Sequence, residues 1–190
     1  MTGAASQPDQ RLDLLYPPLA PALHAWACTR ISSGDRARVA PEDLTQEVWL
    51  RALQVFDRFD PKHSTFRAWL FAVAKNVLLE LRRRLRHARP EQAPHGSTSR
   101  LLALDQVPLE ITTITRRLTE NEDLKRFVDR LHELDPVDRQ TALHCGLEGM
   151  AIAEAAPQLG ENPAATAKRW QRLRASMRAW AAPLGLFADD

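Results

Sequence analysis

The sequence predicts an all-α protein. Thirteen prolines stand against a single tyrosine, β-branched residues rarely run together, and apolar residues in the clearest segments recur at helical spacing. With 190 residues, 44% of them hydrophobic, the chain can bury one core or two small ones.

Residues 1–10 are small and polar and are expected to be disordered. From residue 11 to 32 apolar residues are dense (Leu12, Leu15, Leu19, Leu23, Trp26), and Pro17, Pro18 and Pro21 should interrupt or restart a helix. SSGDRARVAP reads as a loop. A helix then starts near Pro41, where a first-turn proline with Glu42 and Asp43 suits the helix dipole. Leu44, Val48, Ala52 and Val55 form its apolar line, widened by Trp49, Leu53 and Phe56. FDPKHST is turn chemistry, with Ser64 or Thr65 available to cap the next helix. That helix places Phe66, Trp69, Leu70, Val73, Val77, Leu78 and Leu81 on one face, with Trp69 expected in the core. Beyond Leu81 arginine replaces the apolar pattern.

Residues 90–109 hold Pro90, Pro94, Gly96 and Pro108 without periodicity and read as an interdomain linker. Helices are expected to resume over 110–133, 136–147, 150–159 and 163–180. The organisation is therefore a front helical domain over 11–89 and a back one over 110–182, followed by a tail over 183–190.

Net charge is only +2, but it is unevenly spread. Phe66 to Pro90 carries +6 and Glu161 to Trp180 carries +4, which leaves −8 for the remainder. Two basic segments on an acidic body fit two phosphate-facing surfaces. Enzyme chemistry finds no support: HExxH, GxSxG, GxxxxGK[ST] and paired Cys/His patterns are absent, and the six histidines are scattered. Nothing calls for a metal or cofactor. Cys28 and Cys145, far apart and without CxxC spacing, read as reduced thiols. No apolar run approaches the ~18 residues of a membrane span, and no export signal leads the chain, so a cytoplasmic location is expected.

Three groups of residues in the front half bear on function. Asp43, Gln46 and Glu47 cluster within one helical turn, either as a solvated face or as a protein contact. Phe59 lies just before a break, where it either caps the core or offers a stacking platform worth ~1–3 kcal/mol per unpaired base. Asn76 carries both a donor and an acceptor able to read a base edge. Arg82, Arg83, Arg84 and Arg86 surround the helix instead of marking one side. They suit either a helix C-terminus or phosphate contact, and counterion release favours the second.

In the back half, Ala151–Leu159 reads as a short helix that Gly160 can end, and a basic helix follows from Pro163. Such a unit places its second helix in the major groove. Lys168, Gln171 and Arg172 share one face, with Leu173 and Met177 turned away.

The stretch DLTQEVWLRAL, with DRFDPKHSTFRAWLFAVAKN after it, resembles region 2 of the sigma-70 family of RNA polymerase specificity subunits in its extracytoplasmic-function (ECF) form. HELDPVDRQTALHCGLEGMAIAEAAPQLGENPAATAKRWQRLRASMR resembles region 4 of the same family. The resemblance implies a region 2 bundle and a region 4 helix-turn-helix that bind core polymerase at the β′ clamp and β flap, and open promoter DNA. It implies that Asp43, Gln46 and Glu47 meet the clamp, and that Phe59, Val73 and Asn76 hold a flipped base of the −10 element. Arg82, Arg83, Arg84 and Arg86 would grip the DNA beside it. Lys168, Gln171 and Arg172 would meet the −35 element, and Arg169 would lie nearer phosphates or take a structural role. An anti-sigma factor is a further partner the family admits. Departures are Pro157 within the first helix of the motif, Glu161 at an apolar position, Ala165, Thr166 and Ala167 where Thr-Val and a base are usual, and Trp170 at an aliphatic core site. The alternatives are a helix-turn-helix regulator that never joins polymerase, and a degenerate sigma-like interaction protein. The front half separates them, because a simple repressor has no use for a clamp helix or a base-capturing turn.

Overall fold

Prolines set where several helices begin. In the computed structural model, which describes residues 12, 14–32, 34–87 and 109–187, Pro21, Pro41, Pro136 and Pro163 each occupy the first turn of a helix. Their fixed φ suits that turn, and the missing N–H would have had no intrahelical partner there. The order is α1 (Ala20–Arg30), α2 (Pro41–Val55), α3 (Phe66–His87), α4 (Leu109–Glu120), α5 (Glu122–Glu133), α6 (Pro136–Thr141), α7 (Ile152–Leu159) and α8 (Pro163–Ala181). No strand occurs among the described residues, so the molecule is all-α as the sequence predicts. The expected disordered N-terminus and nearly all of the expected linker lie outside the described residues.

Local chemistry fixes the helix ends. The Thr65 hydroxyl accepts from the Ala68 N–H at 3.2 Å and caps α3. Gly160 ends α7 at φ 68°, a left-handed conformation that costs glycine little. Pro157 lies inside α7 without ending it. The expected single helix over 110–133 is two helices, because Asn121 breaks it and caps α5 by accepting from the Leu124 N–H at 3.0 Å. The segment after α6 continues as a π-helical turn over Ala142–Leu147.

In the front half, Leu44, Val48, Trp49 and Ala52 of α2 are buried with Leu70, Val73, Val77 and Leu81 of α3 and Leu23 and Trp26 of α1. The apolar core does not stop at the boundary between the halves. Leu118 of α4, Leu124, Phe127 and Leu131 of α5, and Leu143 and Leu147 of the π-helical turn join the same cluster. Elements α4 and α5 pack on α1, and α4 also packs on α2.

Leu184 and Leu186, near the end of the described residues, belong to this core as well. Leu184 and Leu186 are buried, and the Phe187 ring packs against Phe127 and Trp170 at centroid distances of 5.8 and 5.2 Å. The described part of residues 183–190, expected as a tail, folds back on α8.

Candidate polymerase and nucleic-acid interface

Period 3.6 carries Trp69, Val73, Asn76, Glu80 and Arg83 along one side of α3. Opposite them stand Arg51 and Val55 of α2 and Arg58 of the following 3-10 turn, and together they line an open groove of about 340 Å³. Val73 and Asn76, expected together at a base pocket, do share this groove, with Asn76 exposed. Phe59 is not among its lining residues. It belongs instead to a cluster of four rings with Phe56, Phe66 and Trp69, lying 5.4 Å from Trp69 and 5.6 Å from Phe66. Trp69, expected in the core, is only half-buried and forms part of the groove wall. Phe59 therefore reaches the groove through Trp69. Sequence reasoning missed Trp69, Arg51 and Arg58; the i, i+4 spacing of Trp69 and Val73 was the available signal, but a tryptophan on an apolar face reads as core.

The proposed clamp contact is less open than its sequence suggests. Asp43 and Gln46 are half-buried and Glu47 is buried. The Asp43 carboxylate accepts from the Ala40 N–H at 3.3 Å, closing the start of α2. Burial raises the Glu47 pKa, opposed by the nearby Arg84 and Arg51 guanidinium groups, and its Oε2 lacks a hydrogen-bond partner. Glu47 is enclosed in this conformation, where α2 and α3 pack against each other.

The arginine run divides by geometry. Arg82 donates to the Arg30 carbonyl at 3.0 Å, and Arg84 lies 3.9 Å from Glu80. Arg83 lines the groove beside Asn76, and Arg86 is exposed. Arg67 and Lys75, which contribute to the +6 of this segment, turn instead toward the back half.

On α8, Lys168, Gln171 and Arg172 are exposed while Leu173 and Met177 are buried, so three of the four expected −35 residues form one open face. Arg169 does not join them. It donates to Asp138 and to Glu161, each at 2.6 Å, and these bonds raise its pKa further and lower that of Glu161. Glu161, a departure at a usually apolar position, thus serves as the partner that holds Arg169. Trp170 finds room because Gly146 lies beneath it: a Cβ there would come within 2.8 Å of the Trp170 ring and 2.3 Å of Phe187.

The described residues thus form a helical body with an arginine-flanked groove on one half and an exposed basic face of α8 on the other. Residues 15–88 match the family model for sigma-70 region 2. The chain is 30% identical over 142 residues to the probable RNA polymerase sigma-C factor of Mycobacterium bovis, covering 75% of this chain and 70% of that protein. It is 30% identical over 137 residues to the ECF RNA polymerase sigma factor SigE of Mycolicibacterium smegmatis, covering 72% of this chain but only 50% of the relative. It is 29% identical over 161 residues to the ECF sigma factor EcfG of Rhodopseudomonas palustris, covering 84% of this chain and 78% of that protein. No solved structure matches it. The chain belongs to the ECF group of the sigma-70 family of RNA polymerase sigma factors. Among the described residues no helix is long and apolar enough to cross a membrane.

Proposed function

We propose that this chain binds core RNA polymerase, directs it to promoters and assists strand opening. The observation that carries this reading is the meeting of Val73, Asn76 and Trp69 in one open groove with Arg51, Arg58 and Arg83 at its walls. An aromatic face stacks any base, a carboxamide discriminates between bases, and flanking guanidinium groups hold the phosphates of a single strand. A duplex-binding repressor has no use for such a groove. The cost of extracting one base, a few kcal/mol, is of the size that stacking and one set of edge hydrogen bonds offset. Lys168, Gln171 and Arg172 of α8 supply the second, duplex-reading surface; arginine pairs with guanine and glutamine with adenine. Asp43 and Gln46 mark the polymerase-facing end of α2.

Run-off transcription from a randomised promoter pool, with purified core polymerase and with or without this protein, tests the reading. Transcripts that depend on the protein and share upstream sequence are expected. Failure to bind core removes the sigma reading, and binding without initiation favours the degenerate interaction protein.

A further inference from the structure

A single carboxylate of α6 touches both an inward and an outward arginine of α8. Asp138 lies in the first turn of α6, and its Oδ1 accepts from Arg169 Nη1 at 2.6 Å. The same atom lies 3.9 Å from Nη2 of Arg172, which belongs to the exposed face of α8. Arg169 does not rest on Asp138 alone. Its Nε and Nη2 both donate to Glu161 Oε1, at 3.1 and 2.6 Å. Glu161 is fixed in turn by the buried Thr166, whose hydroxyl donates to Oε2 at 3.2 Å. Two carboxylates thus share one guanidinium, and within this unit a negative charge is left over beside Arg172. At 3.9 Å, with the Arg172 side chain 71% exposed, the last pair is a charge contact without a hydrogen bond and adds little to stability. Its effect falls on where the Arg172 guanidinium points.

We propose that Asp138 is a positioning residue that aims Arg172 at a guanine in the upstream promoter element, and that Glu161 keeps Asp138 available for this. The role rests on the duplex-reading assignment of α8 above. A bidentate contact with guanine O6 and N7 uses two of the five guanidinium donors. The remaining donors can stay on Asp138, so the fork keeps one angle while it reads the base edge. A solvated arginine without such a partner gives up more rotamer freedom on binding, and it turns as readily to a phosphate as to a base. The Asp138 carboxylate, itself an anion, disfavours the approach of a phosphate at that place and so tilts the choice toward the base. Glu161 acts at one remove. Without it the Arg169 donors would all fall to Asp138 and cancel its charge, and Arg172 would lose the attraction that orients it. The bond between Arg169 and Asp138 suffices to tie α8 to α6, so the second carboxylate is explained by Arg172 and not by attachment.

Sequencing the templates transcribed from the randomised pool, with the full chain and core polymerase, tests this. In wild type one upstream position should favour guanine about tenfold or more, and Arg172→Gln should abolish that preference. Asp138→Asn should weaken the same preference about threefold to tenfold while leaving the other positions as they are. In the Arg172→Gln background Asp138→Asn should change nothing further, an outcome that a purely structural role of Asp138 would not give. Glu161→Gln, which retains the bond between Arg169 and Asp138, should act in the same direction and more weakly. Should Asp138→Asn lose helix by circular dichroism, Glu161→Gln decides by the same reading, alone and with Arg172→Gln. The buttress is overturned by a preference that survives in the folded variant, by an equal loss on all templates, or by an Arg172-dependent position that favours another base. A wild type that transcribes with no upstream preference removes the duplex-reading role of α8, and the buttress with it. Upstream selectivity that Asp138→Asn leaves intact counts against the buttress alone.

Discussion

At Gly146 a single methyl group has a measurable consequence. The added carbon of Gly146→Ala meets Phe187 and Trp170 rings well inside contact distance, so the variant should lose about 1–3 kcal/mol, with the melting temperature falling about 2–4 °C per kcal/mol. Removing the obstructing ring should reverse part of the loss, so Phe187→Ala and Gly146→Ala should be non-additive in a thermal double-mutant cycle; strict additivity would place the clash elsewhere. Asn76 makes the opposite kind of prediction. It is exposed and lines the groove, so Asn76→Ala should leave stability and core binding unchanged while relaxing −10 selectivity in pooled run-off transcription. An equal loss on every promoter would remove it from base reading. The placing of Asn76 and Val73 on one side of a regular helix could be read from the sequence, because its period is unmistakable, whereas their part in base reading is what the family resemblance implies. The burial of Glu47 and the only partial burial of Trp69 could not, because each depends on how closely a neighbouring element approaches.

Among the elements, α1 is largely enclosed by others. His24 on its buried side is 4% exposed, lies 3.9 Å from Glu42, and has no hydrogen-bond partner at Nδ1. Its surroundings, shared by α2, α4 and α5, also include Cys28, Arg36, Lys125 and Asp129. Burial lowers the imidazole pKa to about 4, so the fold favours neutral His24. The unfolded chain then binds more protons as pH falls below about 6.5; the contribution is complete above that value and is lost down to about pH 4. Between pH 7 and pH 5 the loss should be about 2 kcal/mol. Urea unfolding of wild type and His24→Gln at the two pH values measures it, and parallel pH dependence in both would exonerate His24. Boundaries at this scale were largely legible, because proline starts, the Thr65 cap and Gly160 are local. The division of 110–133 at Asn121 was also local, as an asparagine followed by Glu122 and Asp123 suits a helix start. The long apolar period across it concealed that signal.

For the whole molecule, charge is the property that geometry redistributes. The front basic segment counts seven cations in the sequence, but Arg67 and Lys75 are engaged with the back half, Arg82 with the Arg30 carbonyl and Arg84 with Glu80. The salt dependence of promoter binding should therefore fall by nearly one unit of slope for Arg83→Gln and for Arg86→Gln, as expected for each lost phosphate contact. Arg82→Gln should move it less. An unaltered slope for Arg83→Gln would take that residue off the DNA. The sequence by itself determined the all-α class, most helix ends, the two basic segments and the resemblance that led to the family, because periodicity, capping and motif spacing are local along the chain. Tertiary structure decided which charges face solvent, that Leu184 and Leu186 belong to the core, and that Glu148 joins the two halves. The last of these turns on contacts between residues more than a hundred positions apart, as Trp26 and Glu148 are, and no local pattern encodes the desolvation that makes a buried carboxylate seek four donors.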